Sequence, residues 1–398
     1  MIIIQSPFER LRKLLVGLEP GMPAIDLTVG TPGHAPPAFI ADVIAANMAG
    51  FRPYPPIGGT PAFQTAVRGW INRRYGLDGA LDDAMALLPV NGSREGLFFA
   101  ALTARDLLRK SDPAVLFANP FYQTYPAAAH AIGARAVPLA AVPGSALPDF
   151  SSVPEATLDA AIAYYIASPT NPEGLCASKA DWHALFDLAL RHDFFLIADE
   201  CYSEIYREAF GPPPGALEAV RERPEALSRL LAFNSLSKRS NLAGMRVGFV
   251  AGDEAVISAM KDFRNQAAPQ VPGPLQAAAA AAFDDEAHVI ENRRLYDEKF
   301  ASAEALLRPG FGAVTPPAGF CLWLAAGGDD EAIVRALWEE VGVRALPGSY
   351  LATDPPSGPN PGRGHIRFAL VGDAQSTHEA FVRTARFFGN APALAATG

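Results

Sequence analysis

Lys238 lies in the run Asn234-Ser-Leu-Ser-Lys-Arg-Ser-Asn-Leu-Ala-Gly-Met-Arg-Val-Gly-Phe249, one amine among small hydroxyl residues, with Gly244 and Arg246 behind it and an apolar stretch at the end. A solvated surface lysine needs no such setting. An amine that condenses with a carbonyl does: it must be partly desolvated and stand near other cations, so that its neutral nucleophilic form is accessible. The hydroxyls of Ser235 and Ser237 and the guanidinium of Arg246 can take a phosphate, Arg246 bidentately. The run predicts a Schiff-base lysine beside an anion cup.

Four other places carry chemistry-bearing side chains. Asp199 ends the apolar run Phe194-Phe-Leu-Ile-Ala-Asp-Glu200. A carboxylate at the C-terminal end of a buried parallel strand sits where open α/β sheets bind ligands, although an N-cap before Cys201 uses the same residue type. Tyr202 follows closely, as a ligand contact or a packing residue. Asn171 lies in Ala167-Ser-Pro-Thr-Asn-Pro-Glu-Gly174, after another apolar run; Asn-Pro is also a common turn former, and the bonds before Pro169 and Pro172 are open to either isomer. Val90-Asn-Gly-Ser-Arg-Glu95 joins an apolar run to a helical period. There Gly92 permits close backbone approach, and Ser93 and Arg94 present amides at a helix N-terminus, either to a phosphate or as a plain cap. Arg367 interrupts the apolar run Gly364-His-Ile-Arg-Phe-Ala-Leu370. A buried arginine is costly unless paired, so a substrate carboxylate or an internal salt bridge must meet it.

The elements that position these residues are legible from periodicity. Short apolar runs at 84–90, 114–118, 163–167, 194–198, 230–233 and 247–251 alternate with amphipathic stretches such as Glu95–Leu108 and Lys179–Arg191. Such alternation predicts parallel strands with crossover helices, and strands apolar throughout predict a sheet covered on both faces. From about Glu286 a long charged helix, through Asn292, Arg293, Arg294 and Lys299, reads as a connector. Strands at 320–324 and 365–370 and helices at 330–341 and 375–388 follow. The expected division is an N-terminal arm with the start of a small domain (1–52), a large domain (53–285) and the rest of a small α+β domain (286–398).

The 398 residues are 49% hydrophobic and 19% charged, a globular composition long enough for two or three domains. A net charge of −9 argues against nucleic acid or an anionic membrane as partner. Cys176, Cys201 and Cys321 show neither metal spacing nor a disulfide framework, which suits a reducing cytoplasm. The opening apolar residues are too few for a signal peptide, and no uncharged run reads as a bilayer span.

Taken in order, Gly92–Ser93, Tyr122, Asn171, Asp199, Tyr202, Lys238, Arg246 and Arg367 resemble the class I/II aminotransferases of the aspartate aminotransferase fold over nearly the whole chain, from Gly30 to Arg367. Leu88-Pro-Val-Asn-Gly-Ser-Arg-Glu95, Asn119-Pro-Phe-Tyr122, Asp199-Glu-Cys-Tyr-Ser-Glu-Ile-Tyr206 and Ser237-Lys-Arg-Ser-Asn241 are most similar to the N-succinyldiaminopimelate aminotransferases. Ala243 and Val247 depart from that pattern, where Pro and Ser are expected. The resemblance implies a mostly parallel seven-stranded sheet with a smaller α+β domain. It implies pyridoxal 5'-phosphate bound to Lys238, with Asp199 facing the pyridine nitrogen and Tyr202 and Asn171 on the phenolic oxygen. Gly92, Ser93, Arg94, Ser235, Ser237 and Arg246 would surround the phosphate, Tyr122 by its place in the motif would cover the ring, with Phe121 and Tyr125 as alternatives to it or core residues, and Gly30, Asn171 and Arg367 would bind substrate. Tyr54, in Arg52-Pro-Tyr-Pro-Pro-Ile-Gly-Gly59, would reach the phosphate of a neighbouring subunit, making the active unit a homodimer with shared sites. The implied reaction moves an amino group from glutamate to a keto acid, N-succinyl-2-amino-6-ketopimelate by the narrower likeness. Broader aspartate or aromatic specificity and C–S β-elimination use the same core residues. A transcription regulator with such an effector domain is disfavoured by the short, Pro-rich segment before the large domain. Arg52, Arg239 and Arg264 are candidates for the far end of a polyanionic substrate, or solvated surface arginines.

Overall fold

The computed structural model describes residues 5–355 and 358–390. Its strands, in chain order, are β1 (Ile25–Asp26), β2 (Met85–Val90), β3 (Ala114–Asn119), β4 (Arg135–Ala140), β5 (Ala161–Ala167), β6 (Phe195–Asp199), β7 (Leu230–Ser235), β8 (Gly248–Asp253), β9 (Cys321–Ala325), β10 (Val343–Arg344), β11 (Leu346–Pro347) and β12 (His365–Ala369). Strands β2 to β8 form one seven-stranded sheet in the order β2-β8-β7-β6-β5-β3-β4. Only β8 runs against its neighbours in it, so the expected mostly parallel sheet is present.

Continuous apolar strands have no solvent face, and here alternate residues feed two cores. Leu116, Tyr164, Leu196 and Ala232 pack on one side; Val115, Tyr165, Ile197 and Phe233 pack on the other. The helices Pro61–Tyr75 and Gly273–Asp284 cover the first face, and Ser93–Leu108 and Glu254–Ala267 the second. β4 escaped the sequence reading for a physical reason. It is an edge strand of mixed burial containing Pro138, so it carries no continuous apolar signal.

The predicted connector is the helix Ala287–Phe311. Its charged look is partly misleading: Asn292, Arg293 and Lys299 are buried. A third core joins both ends of the chain, with Leu11 and Leu27 packed among residues such as Phe300, Leu322, Ile366 and Phe381. Its three-stranded antiparallel sheet, β11-β12-β9, carries Arg367 on the central strand. No helix among the described residues is long and apolar enough to cross a membrane.

Candidate active site

Register explains why distant motifs meet. Val90 and Ser235 are both aligned with Gly248 across β2-β8-β7. The turn after β2, the turn after β7 and the lead-in to the reversed strand β8 therefore share one sheet edge. Those three segments carry Gly92–Arg94, Ser237–Lys238 and Arg246. Ala167 is aligned with Asp199, and Asp199 with Phe233, which brings the Asn171 loop and the acid to the same edge. Ligands gather at such strand ends in open α/β sheets.

Lys238 sits on the short helix Leu236–Arg239, capped by Ser235, whose Oγ accepts from Ser237 N (3.1 Å). Its Nζ donates to the carbonyl of Gly30 and lies 4.9 Å from the centre of the Phe320 ring. Burial pulls its pKa down from 10.5 to about 8, helped by the charges of Arg367 and Arg246 and opposed by the Cys321 and Cys201 thiols. Asp199 is buried, and burial pushes its carboxyl pKa up. The Tyr125 hydroxyl (3.0 Å) and the Cys201 amide (3.4 Å) donate to it and oppose that rise. No helix starts after Asp199, so the Cys201 contact belongs to a turn and not to an N-cap, and the acid has no ion-pair partner among the described residues.

Asn171 Nδ2 donates to the Tyr202 hydroxyl at 3.0 Å, and Asn171 Oδ1 accepts from Arg367 Nη1 at 3.5 Å. Both adjoining bonds, Ser168–Pro169 and Asn171–Pro172, are cis, as is Asn119–Pro120. Arg367 is 5% exposed and donates from Nη2 to the Thr28 carbonyl (2.6 Å). Its Nε has no partner. The internal salt bridge allowed by the sequence is absent among the described residues; only neutral oxygens meet this cation.

Gly92 caps the helix Ser93–Leu108 at φ 81°. A Cβ there would stand 2.1 Å from Arg246 Nη2, so glycine is what lets the guanidinium lie on the turn. Arg246 itself is held at φ 54°, donating to the carbonyls of Ala243 (2.9 Å) and Asn91 (3.4 Å). These groups open on one cavity of about 1150 Å³, whose wall includes Gly30, Ser93, Arg94, Tyr122, Asn171, Asp199, Tyr202, Ser237, Lys238, Arg246 and Arg367.

A sequence description named Aminotransferase class I and II matches residues 23–381. The chain belongs to that family. It is 29% identical over 379 residues to the LL-diaminopimelate aminotransferase of Nitratidesulfovibrio vulgaris strain Hildenborough, covering 92% of each chain. The crystal structure of an aminotransferase from Neisseria meningitidis superposes with a TM-score of 0.91 at 36% identity, over 98% of this chain and 100% of that one. The "probable N-succinyldiaminopimelate aminotransferase" of Thermus thermophilus gives 0.81 at 25% identity, over 96% and 100%.

Class I/II aminotransferases depend on pyridoxal phosphate, and so does this one. The residues fit the group on their own chemistry. A depressed lysine amine, a buried acid lacking a cation, and an arginine seated on a glycine turn would suit its aldehyde, ring nitrogen and phosphate.

Ser235 is fully buried; its hydroxyl caps the lysine helix and lies 2.8 Å from the Oγ of Ser237, which is on the cavity wall. The surface reading of Arg239 and Arg264 is corrected by this aminotransferase's structure. Arg239 and Arg264 are neither surface residues nor at the far end of the cavity. Arg239 is fully buried against Trp70 and Phe283 and paired with Glu286 at 2.6 Å; Arg264 is fully buried and paired with Glu95. Arg52 is exposed and off the wall, as is Tyr54, which is 95% exposed in the single chain. Sequence reasoning missed Tyr125 as the partner of Asp199, and Glu173, an acid on the cavity wall whose pKa burial raises. It also missed Phe8, which brings the N-terminal helix Pro7–Leu14 to the rim.

Proposed function

We propose that this aminotransferase moves the amino group of glutamate onto a long keto acid of diaminopimelate type, N-succinyl-2-amino-6-ketopimelate. The observation that carries the reading is convergence on one cavity of a depressed amine at Lys238, an uncompensated acid at Asp199 and an arginine at Arg367 without a carboxylate. The Nitratidesulfovibrio and Thermus relatives reported above share the diaminopimelate skeleton in their names and differ by the succinyl group. The close match of the four motifs quoted above favours the succinylated form.

In this reading Lys238 holds the cofactor covalently. Asp199 takes its ring nitrogen, Asn171 and Tyr202 its phenolic oxygen, Ser93, Ser237 and Arg246 its phosphate, and Tyr122 its ring face. When bound, the cofactor supplies an electron sink that acidifies the substrate's Cα–H. Arg367 would meet the α-carboxylate with a guanidinium whose own contacts are the neutral oxygens of Asn171 and Thr28. Asn171 Oδ1 keeps Nη1 aimed, and the carbonyl of Thr28 anchors Nη2. The Lys238 amine, with a pKa of about 8, then accepts and returns the Cα proton near neutral pH. Tyr202, whose phenol burial keeps protonated, donates and does not compete as a base. Residues 53–285 are taken as the large domain, with 1–52 and 286–398 as arm and small domain. The active unit is taken as a homodimer, which gives the exposed Tyr54 a site to reach.

The test is a panel of keto acids supplied to the enzyme preloaded with amino group from glutamate, following return of the cofactor's visible absorbance. N-succinyl-2-amino-6-ketopimelate should react at least tenfold faster than oxaloacetate or phenylpyruvate. Equal rates would leave a glutamate-dependent aminotransferase and remove the succinylated acceptor.

A further inference from the structure

Behind the phosphate cup lies an ion pair that the reaction does not use directly. Arg264, on the helix Glu254–Ala267, is fully buried, with its guanidinium 5.3 Å from the centre of the Phe99 ring. Nη1 binds Glu95 Oε1, and Nη2 donates to Asn91 Oδ1 at 3.3 Å. Glu95 Oε2 in turn accepts from Asn91 N at 3.2 Å, and the Asn91 carbonyl accepts from Arg246 Nη2 at 3.4 Å. Asn91 and Glu95 are on the cavity wall; Arg264 is not.

Glu95 occupies the third position of the helix that Gly92 caps, in the first turn, where an acid is at home by the helix dipole. The same position places a negative charge beside a cup built for a dianion. Left alone, that carboxylate would oppose phosphate binding, and the amides of the turn would serve their own acid instead of a ligand. We infer that Arg264 is a positioning residue for the cup: it neutralises Glu95 and ties Asn91 down, so that the turn at 91–94 receives an anion. This rests on the reading of that turn as the phosphate site.

The charge argument makes opposite predictions for the two partners. Arg264→Met leaves Glu95 uncompensated and should weaken phosphate recognition. Glu95→Gln leaves a cation behind the cup and should strengthen it, while keeping an amide able to serve Asn91. Arg264→Met/Glu95→Gln removes both charges and should recover most of the loss.

The probe is the apoenzyme titrated with pyridoxal phosphate and, separately, with pyridoxal, reading the visible absorbance of each. The quantity compared is the dissociation constant for pyridoxal divided by that for pyridoxal phosphate, because a general loss of packing weakens both ligands alike and leaves this ratio in place. The ratio should fall at least tenfold in Arg264→Met, rise severalfold in Glu95→Gln, and return to within threefold of the parent in the double variant. If Arg264→Met does not fold, the rise in Glu95→Gln decides the matter alone. A ratio within twofold of the parent in both single variants, with Arg246→Met lowering it strongly, overturns the role of Arg264. If Arg246→Met also leaves the ratio unchanged, the phosphate-cup reading itself fails.

Discussion

The Tyr125 hydroxyl donates to Asp199 Oδ2 across 3.0 Å, with both groups buried and the Tyr125 ring stacked on Tyr165. Burial holds the phenol's pKa well above its usual value, so it remains a donor across the working range. In the proposed role Asp199 would have to stay ionised to keep the cofactor's ring nitrogen protonated, and desolvation works against that. Tyr125→Phe removes an opposing hydrogen bond to a charged group, of about 1.5–3 kcal/mol. The expected outcome is a fall in kcat of roughly tenfold or more, with the acid limb of the pH–kcat profile moved to higher pH. An unshifted acid limb would remove Tyr125 from the account. Asp199→Asn should cost more than Tyr125→Phe.

Lys238 gives the apoenzyme a pH signature. Its folded pKa of about 8 lies below the ordinary 10.5, so the amine is charged and unreactive below pH 8 and neutral above it. Capture of pyridoxal phosphate by apoenzyme should accelerate as pH rises to about 8 and level off above. The same shift ties stability to pH in a definite direction. The unfolded chain binds the extra proton between about pH 8 and 10.5, so this group's contribution to apoenzyme stability grows with pH across that window and is lost below it. Stopped-flow capture rates check the first statement; a profile centred near 10 would contradict the burial of the amine. Lys238→Ala should show neither capture nor turnover.

What could be read from the sequence follows from where the information is local. β2, β3, β5, β6, β7 and β8 announce themselves because both faces are buried, so each is an unbroken apolar run. β4 lies on the edge and does not. Lys238 and Asp199 were legible because each sits at a strand end, a position fixed within a few residues of chain. The Tyr125–Asp199 bond joins residues 74 apart, and the pairs of Arg239 and Arg264 with their acids span 47 and 169. Nothing near Arg264 in sequence distinguishes it from a surface arginine; only the packed sheet brings Glu95 beneath it. Ser235 shows two roles open at one position: its type and place suit a phosphate, and a strand's last residue is also where a helix cap is needed, which its hydroxyl serves.

Gly92→Ala tests the cup directly. The added methyl would stand 2.1 Å from Arg246 Nη2, and the position has φ 81°, which alanine adopts at a cost of about 1–3 kcal/mol. Arg246 has to swing off the turn. The variant should bind pyridoxal phosphate at least tenfold more weakly and melt several degrees lower. Retained cofactor affinity alongside the lowered melting temperature would mean that Arg246 does not need that seat.

Tyr54 is 95% exposed in one chain, an unusual place for a tyrosine flanked by prolines. If it completes the site of a second copy, subunit mixing reveals it. Tyr54→Ala and Lys238→Ala homodimers should each be impaired. Their mixed dimer carries both lesions in one site and none in the other, so activity should return on mixing, up to about one quarter of the parent if subunits exchange at random. No gain on mixing, with exchange verified by mass, would show that Tyr54 does not cross between subunits.

Arg367→Lys separates charge from geometry at the carboxylate clamp. The guanidinium is oriented by Thr28 O at 2.6 Å and Asn171 Oδ1 at 3.5 Å, both neutral oxygens, with Nε buried and unpaired. Lysine keeps the charge but offers a point donor, which loses the second parallel hydrogen bond. At about 1.5–3 kcal/mol for a hydrogen bond to a charged group, kcat/KM for glutamate should fall by roughly one to two orders of magnitude. Most of that fall should appear in KM, because the carboxylate is held alike in substrate and transition state. Arg367→Met should do worse, since Asn171 then loses a partner. It should also raise the Lys238 pKa, because a cation that disfavours the protonated amine is gone. The apoenzyme capture profile of Arg367→Met, moved to higher pH relative to the parent, would tie the clamp electrostatically to the amine. An unmoved profile would show that burial alone sets the lysine's pKa.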